Sequence, residues 1–173
     1  MTPLTSLWLP ILVATLGVFL WNTVAWTRLP HHRDDFKVPP DGVDPEKLLD
    51  TNGLAAGQYV LESPQRGDRP RAVLVVAAGP TPMGRNLLFS ALLYGLVSVL
   101  VAYVTAVGMP AGAPAMKVLQ LSGTAGVMAY SLGLLPNAIW FGRPVRPVVM
   151  DVLDGVVAGL LTGVIFALLW PAA

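Results

Sequence analysis

Two histidines and two aspartates follow the first long apolar segment of this chain and could bind a metal ion together. They are His31, His32, Asp34 and Asp35. Imidazole and carboxylate groups are ligands for zinc, manganese and iron, so the cluster predicts a candidate divalent metal site. A simpler interpretation is a polar stretch facing lipid headgroups, in which Arg28 and Arg33 contact phosphate. No nucleophile accompanies the histidines, so the sequence predicts no catalytic residue.

A second acidic pair, Asp151 and Asp154, lies near the start of the last apolar segment. Arg143 and Arg146 precede it closely enough to form ion pairs with it. Carboxylates at a helix N-terminus also interact favourably with the helix dipole, so capping and ion pairing explain the pair without a ligand. An ionisable group at membrane depth otherwise indicates a functional site. These four residues therefore form a candidate polar or ion site, expected at the same depth as the histidines.

Small residues recur at helical spacing in the same last segment. Gly155, Gly159 and Gly163 stand four residues apart, and Gly126 belongs to a weaker row in the preceding segment. Small residues at this spacing let two helix backbones approach closely. The spacing does not identify the partner helix, so packing within one chain and a homo-oligomer interface both remain open.

Most of the chain carries no formal charge, and this predicts the helices that must position these residues. The charge-free stretches are 1–27, 86–116, 118–142 and 155–173. A membrane-spanning helix needs about 20 apolar residues, so we predict an all-α membrane protein with a bundle of four transmembrane helices. The predicted spans are Leu4–Trp26, Asn86–Met109, Val118–Phe141 and Val148–Trp170. Pro136 should kink span 3 or end it early.

The distribution of basic residues predicts how the spans are oriented. Ten of the eleven Lys and Arg residues lie in segments 28–85 and 142–147, and only Lys117 lies on the other side. Cytoplasmic loops carry the excess of Lys and Arg. We therefore expect a bacterial inner-membrane protein with both termini outside and these two segments in the cytoplasm.

Residues 28–85 form a cytoplasmic insert between transmembrane span 1 (1–27) and spans 2–4 (86–173). The run Asp44-Pro45-Glu46 is typical of a helix N-terminus and predicts a short helix at about 44–52. Two stretches rich in β-branched and apolar residues flank a turn-rich segment and predict a β-hairpin at about 58–77. The insert is thus a small α-plus-hairpin unit.

The sequence resembles a group of small four-span bacterial membrane proteins of unknown function. The residues that carry the resemblance are Leu29-Pro30-His31-His32-Arg33, Gly57-Gln58-Tyr59, Gly79-Pro80, Met83-Gly84, Ala138-Ile139-Trp140-Phe141-Gly142, Asp154-Gly155 and Leu169-Trp170-Pro171. The resemblance implies the four-span architecture and the inner-membrane location. It implies no activity and no catalytic residue.

Three functional hypotheses follow. A non-enzymatic structural or accessory protein would assemble with itself or with a larger membrane complex. A transporter or channel subunit would need a polar path from Asp151 and Asp154 past Thr162, Asn137 and Tyr130. A metal-dependent membrane enzyme would use the side chains of His31, His32, Asp34, Asp35, Asp151 and Asp154. The net charge of +1 argues against nucleic-acid binding. The expected partners are the lipid bilayer and either further copies of this chain or a larger membrane complex. The absence of cysteine excludes thiolate metal sites and iron–sulfur clusters. The sequence predicts no cofactor, with a divalent metal at the histidine cluster as the alternative.

Overall fold

Four long apolar helices dominate the structure, a computed structural model that describes residues 2–37, 41–42, 44, 53–61, 72–80 and 82–173. The described helices are α1 (Trp8–Thr27), α2 (Met83–Gly108), α3 (Ala115–Ser131), α4 (Leu135–Trp140) and α5 (Val145–Leu168). Four segments are long and apolar enough to cross a membrane: Leu4–Thr27, Met83–Gly108, Ala115–Trp140 and Val145–Leu168. The prediction of four candidate spans is therefore confirmed. Their large side chains mostly face outward, as lipid contact requires.

The four long helices pack side by side, with α1 against α2 and α5, and α3 against α5 and α2. The most extensive contact is between α3 and α5. Buried side chains near the middle and one end of the bundle include Leu7, Val101, Val118 and Phe166. At this end Thr2 Oγ1 donates to the Met109 carbonyl at 3.0 Å, so the N-terminal segment lies beside the α2–α3 loop. The His and Asp clusters occupy the opposite end.

The glycine row of α5 lies directly against α3 of the same chain. A Cβ at Gly159 would meet the Val127 backbone nitrogen, with Val127 Cα at 2.6 Å. A Cβ at Gly163 would be 2.7 Å from Gly123 Cα, and one at Gly126 would be 2.9 Å from Gly159 Cα. Such approaches leave no room for a side chain, so these glycines determine the close packing of the two helices.

The third span is not a continuous α-helix. α3 ends at Ser131, a 3₁₀ turn follows at Leu132–Leu134, and α4 begins at Leu135. Pro136 has no backbone N–H, and its ring excludes the carbonyl four residues earlier from a helical hydrogen bond. The break therefore lies where Pro136 predicts it.

The described part of the insert contains an antiparallel strand pair. β1 (Gly57–Leu61) pairs with β2 (Ala72–Val76), in a register that places Tyr59 opposite Leu74. The predicted hairpin is confirmed in these strands. The predicted short helix at 44–52 lies, apart from Asp44, outside the described residues.

Gly159→Ala should weaken the α3–α5 packing, because the added Cβ meets the α3 backbone, which cannot move aside as a side chain would. We expect a loss of about 1–3 kcal/mol in stability, measured by thermal or denaturant unfolding in detergent. Gly84→Ala is the matched control, since a Cβ there meets nothing within 4 Å. Equal stability of the two variants would contradict this role of the glycine row.

Candidate functional site

A single turn after α1 positions both histidines. The 3₁₀ turn Pro30–His32 begins with proline, whose fixed φ suits the first position of a helical turn. The Arg33 N–H donates to the Pro30 carbonyl at 3.2 Å and closes the turn. The turn packs against both α1 and α5. It therefore brings the two imidazoles to the third turn of α5, where Asp154 lies. The interpretation of Asp151 and Asp154 as acids capping a helix N-terminus is wrong, because α5 begins at Val145 and its first turn has no acidic residue.

Both imidazoles contact the same carboxylate oxygen. His32 Nε2 lies 2.7 Å from Asp154 Oδ2, and His31 Nε2 lies 3.0 Å from it. His32 and Asp154 are only 6% and 7% exposed. Adjacent histidines rarely converge on one point, but the tight turn makes them do so here. We call His31, His32 and Asp154 the triad.

Asp35 contacts the other nitrogen of His32. His32 Nδ1 lies 2.5 Å from Asp35 Oδ2, so both ring nitrogens face carboxylates. Burial lowers the pKa of His32, but the hydrogen bonds to Asp35 and Asp154 and the charges of these carboxylates outweigh it. The pKa is therefore raised above 6.5. Without a metal, protonated His32 donates to Asp35 and Asp154 together.

Two tryptophans complete the surroundings of the triad. The Trp26 ring stacks on the His32 ring, with centroids 4.0 Å apart and planes inclined by 5°. The Trp21 indole N–H donates to the backbone carbonyl of Asp154 at 3.2 Å. The first contact covers one face of His32, and the second fixes α1 beside the third turn of α5.

The arginines pair differently from the sequence prediction, which placed both beside the Asp151 and Asp154 pair. Arg143 does bind Asp151, with Nη2 2.9 Å from Oδ2. Arg146 instead lies 3.2 Å from Asp35 Oδ1 and 3.7 Å from Asp34 Oδ2. Arg146 is thus a partner of the carboxylate behind His32, because the turn after α1 folds over the start of α5.

The four residues of the predicted metal cluster do not all converge on one point. His31 and His32 meet Asp154, while Asp35 lies behind His32 rather than beside both rings. The Asp34 side chain is 81% exposed and points to Arg146. Asp34 therefore lies outside the triad, since the turn directs it to the surface.

The triad has the composition and spacing of a metal site. One ligand atom from each residue lies within 4.8 Å of the other two. In a tetrahedral zinc site with bonds of about 2.0–2.2 Å, neighbouring ligand atoms are about 3.4 Å apart. Small side-chain movements would bring the three atoms to that separation. Asp35 would then orient His32 through Nδ1, as carboxylates behind metal-bound histidines commonly do.

A cavity of about 260 Å³ lies beside the triad, inside this end of the bundle. Most of its wall is apolar, but the carboxylates of Asp151 and Asp154 contribute to it, and we call it the polar chamber after these two groups. Its lining residues are Asn22, Trp26, Leu93, Tyr94, Val97, Ala129, Tyr130, Leu134, Asp151, Asp154, Gly155 and Ala158. All four long helices or their extensions contribute to it.

The residues of the polar path predicted for a transporter do not line a single channel in the structure. Asp151, Asp154 and Tyr130 line the polar chamber. Asn137 lines a different cleft, beside Gln58 and Val73 of the strand pair. Thr162 is fully buried, and its hydroxyl donates to the Ala158 carbonyl at 2.9 Å.

The structure gives aromatic residues roles that the sequence analysis did not predict. The Trp26 ring covers His32. Tyr94 and Tyr130 pack edge to face with centroids 6.2 Å apart. The contact of Trp26 with a histidine six residues later depends on the 3₁₀ turn between them.

His32 should make the metal-free protein less stable at alkaline pH. Since its pKa is raised in the folded protein, its contribution to stability is complete below 6.5 and is lost as pH rises through the raised value. We expect the thermal midpoint, measured with a chelator present, to fall as pH rises above 6.5. His32→Gln should flatten this fall, and an equally steep fall in that variant would contradict the assignment.

Comparison with known proteins gives no information on the function of the site. The chain matches no protein-family model, and neither a curated protein nor a solved structure is significantly similar to it. The resemblance to small four-span bacterial membrane proteins therefore stays a prediction. What the site can do follows from its side chains alone.

Proposed function

We propose that this chain is a multi-pass inner-membrane protein that binds a divalent first-row transition metal at the triad. The observation that carries the proposal is the convergence of His31 Nε2 and His32 Nε2 on Asp154 Oδ2, at 3.0 and 2.7 Å. Two imidazoles and one carboxylate are a common ligand set for zinc and non-haem iron. The triad joins the turn after the first span to the third turn of the fourth.

The surroundings of the triad support metal binding over a purely structural hydrogen-bond cluster. Asp35 occupies the position behind His32 that in metal sites fixes the imidazole tautomer. Arg146 in turn binds Asp35, so this outer carboxylate is held in place. A cluster serving only to pair one carboxylate would not need two histidines and a second buried aspartate.

Three protein ligands leave a coordination position for water or for another ligand. Zinc sites with three protein ligands are generally catalytic, whereas structural sites have four. Asp154 also lines the polar chamber, so a bound metal would lie beside a space that can hold a small molecule. These features favour metal-assisted chemistry at the membrane surface over a structural metal.

An accessory role through self-assembly has weaker support. Its main warrant in the sequence was the glycine row, and Gly155, Gly159 and Gly163 contact α3 of the same chain. A homo-oligomer or a partner in a membrane complex would have to use the outer faces of the helices. The transporter alternative rests on the polar chamber, from which Asn137 is separated.

Removing one of the three ligands should strongly weaken metal binding. We expect chelator-treated protein in mild detergent to bind one Zn²⁺ per chain by isothermal titration and native mass spectrometry. Asp154→Asn or His32→Gln should weaken binding by more than about 100-fold, because two ligands hold a metal poorly. Unchanged affinity in Asp154→Asn would refute the proposed site.

Asp35 and Asp34 offer a matched pair of neighbouring carboxylates. Asp35→Asn should weaken Zn²⁺ binding by about 10–100-fold, the usual effect of losing an outer carboxylate. Asp34→Asn should bind like the unmodified protein, since its side chain is 81% exposed and faces Arg146. Similar affinities for the two variants would exclude an orienting role for Asp35.

We also propose that the triad lies on the cytoplasmic side, with both termini outside. The support is the positive charge of segments 28–85 and 142–147, since Lys and Arg accumulate in cytoplasmic loops. The triad lies at the end of the bundle from which these segments emerge.

The absence of cysteine makes this orientation directly testable. Ala56→Cys, in the insert, should resist a membrane-impermeant maleimide added to intact spheroplasts, whereas Ala115→Cys, at the start of α3, should react. Both residues are exposed in the structure. Disrupting the membrane should make Ala56→Cys reactive, which serves as the control. The reverse pattern would place the triad on the periplasmic side.

A further inference from the structure

A cleft of about 520 Å³ lies between the strand pair and the connection from α4 to α5, and we call it the outer cleft. β2 contributes Val73 and Val75 to its lining, and the α4–α5 connection contributes Arg143. This connection joins the candidate spans Ala115–Trp140 and Val145–Leu168. The outer cleft therefore lies at the depth where two spans end, which is the headgroup region of a bilayer.

The lining of the outer cleft combines a cation with two carboxamides. The cation is Arg143, and the amides belong to Asn137 and Gln58. No described carboxylate lines the outer cleft. The exposed Lys37 directly follows Phe36, another lining residue, and adds a positive charge at the edge. The outer cleft is thus complementary to an anion that also carries hydrogen-bonding oxygens.

The end of α4 holds Arg143 in this position. Gly142 has a φ of 63°, a left-handed conformation that glycine adopts without strain. The Arg143 N–H then donates to the Ala138 carbonyl at 3.1 Å, the hydrogen bond of a Schellman helix end. Pro144 follows and restricts the backbone just before α5. The backbone of Arg143 is therefore fixed, and its side chain is left available for binding.

The Arg143 guanidinium keeps donors that its ion pair does not use. Its Nη2 lies 2.9 Å from Asp151 Oδ2, and no other side-chain nitrogen of Arg143 has an acceptor among the described residues. A guanidinium carries several N–H donors in a planar fork that suits two oxygens of a phosphate. The Arg143 side chain is 42% exposed, so the remaining donors can reach a group in the outer cleft. Asp151 lines the polar chamber instead.

We propose that the outer cleft binds the headgroup of an anionic phospholipid, with its phosphate at Arg143. The hydroxyls of a head such as glycerol would bond to Asn137 and Gln58, whose amides both donate and accept hydrogen bonds. Ile139 and Trp140, which directly precede the connection, are 76% and 77% exposed and offer an apolar surface to acyl chains. Basic pockets at the cytoplasmic ends of spans bind such headgroups. This site goes beyond the triad and does not require its metal.

Two lipids with the same acyl chains, phosphatidylglycerol and phosphatidylcholine, separate this proposal from general lipid contact. The full chain would be placed in nanodiscs that contain equal amounts of both, with a chelator present. Native mass spectrometry after release from the nanodisc would report the retained lipids. We expect phosphatidylglycerol to be enriched about 5-fold, and equal retention would overturn the proposal. Soluble glycerol phosphate should not displace it, because it lacks the chains. Displacement would assign the outer cleft to a free phosphate compound and overturn the lipid as its occupant.

Arg143→Gln tests the phosphate position, with Arg85→Gln as the matched control. Arg85 is exposed in the first turn of α2 and does not line the outer cleft. The enrichment of phosphatidylglycerol should fall by about 5-fold in Arg143→Gln, the effect of one basic residue at a membrane surface, and stay unchanged in Arg85→Gln. Equal losses in the two variants would mean that the overall positive charge attracts the lipid, and would refute the site.

Asp151→Asn distinguishes lipid binding from a loss of structure, because it breaks the same ion pair from the other side. Without the carboxylate, the whole charge of Arg143 is available to the phosphate. Phosphatidylglycerol retention should therefore rise in Asp151→Asn while it falls in Arg143→Gln. A fall in both variants, or no change in Asp151→Asn, would overturn the proposal. Since a chelator is present throughout, failure here leaves the metal proposal intact, and failure to bind Zn²⁺ leaves this one intact.

Discussion

Compensation of the Asp154 charge governs how this end of the protein is built. The residue is 7% exposed, and a buried carboxylate left without partners costs several kcal/mol. His31 and His32 supply the partners from a turn that follows a different helix. The third turn of α5 and the end of α1 must therefore lie together, and the Trp21 indole bonded to the Asp154 carbonyl reinforces that contact.

The direction of Asp154 depends on the packing of its neighbour in the sequence. Successive residues of an α-helix are rotated by about 100° around its axis. Gly155 lies against α3, where a Cβ would be 2.6 Å from the Tyr130 carbonyl oxygen. Ser131 Oγ also donates to the Val152 carbonyl, at 3.2 Å. With this face of α5 fixed on α3, Asp154 is turned toward α1 and the histidines.

Local sequence patterns were sufficient to predict the four long helices and the strand pair. The four spans follow from the lengths of the apolar stretches, the break in the third from Pro136, and the strand pair from β-branched residues on both sides of a turn-rich segment. Each of these depends on neighbouring residues only. The bilayer length and the missing N–H of proline act wherever such residues occur.

The composition of the triad could be predicted only in part. Asp154 is 122 residues from His32, and nothing local indicates that their side chains meet. The choice of Asp35 over Asp34 does have a local signal, because His32 and Asp35 are three residues apart and the Asp35 N–H bonds to the His32 carbonyl. Within one turn, that spacing brings the carboxylate back to the ring, whereas Asp34 points outward.

The close approach of α3 and α5 also explains why space remains elsewhere in the bundle. Glycine at Gly126 and Gly159 draws the two backbones together, and this pair has the most extensive contact between helices. α3 meets α2 over a smaller area, and the larger side chains there hold the backbones apart. The apolar groove between α2 and α3 lies on this looser side. One tight helix pair thus fixes the direction of Asp154, and the looser pair leaves a space between its helices.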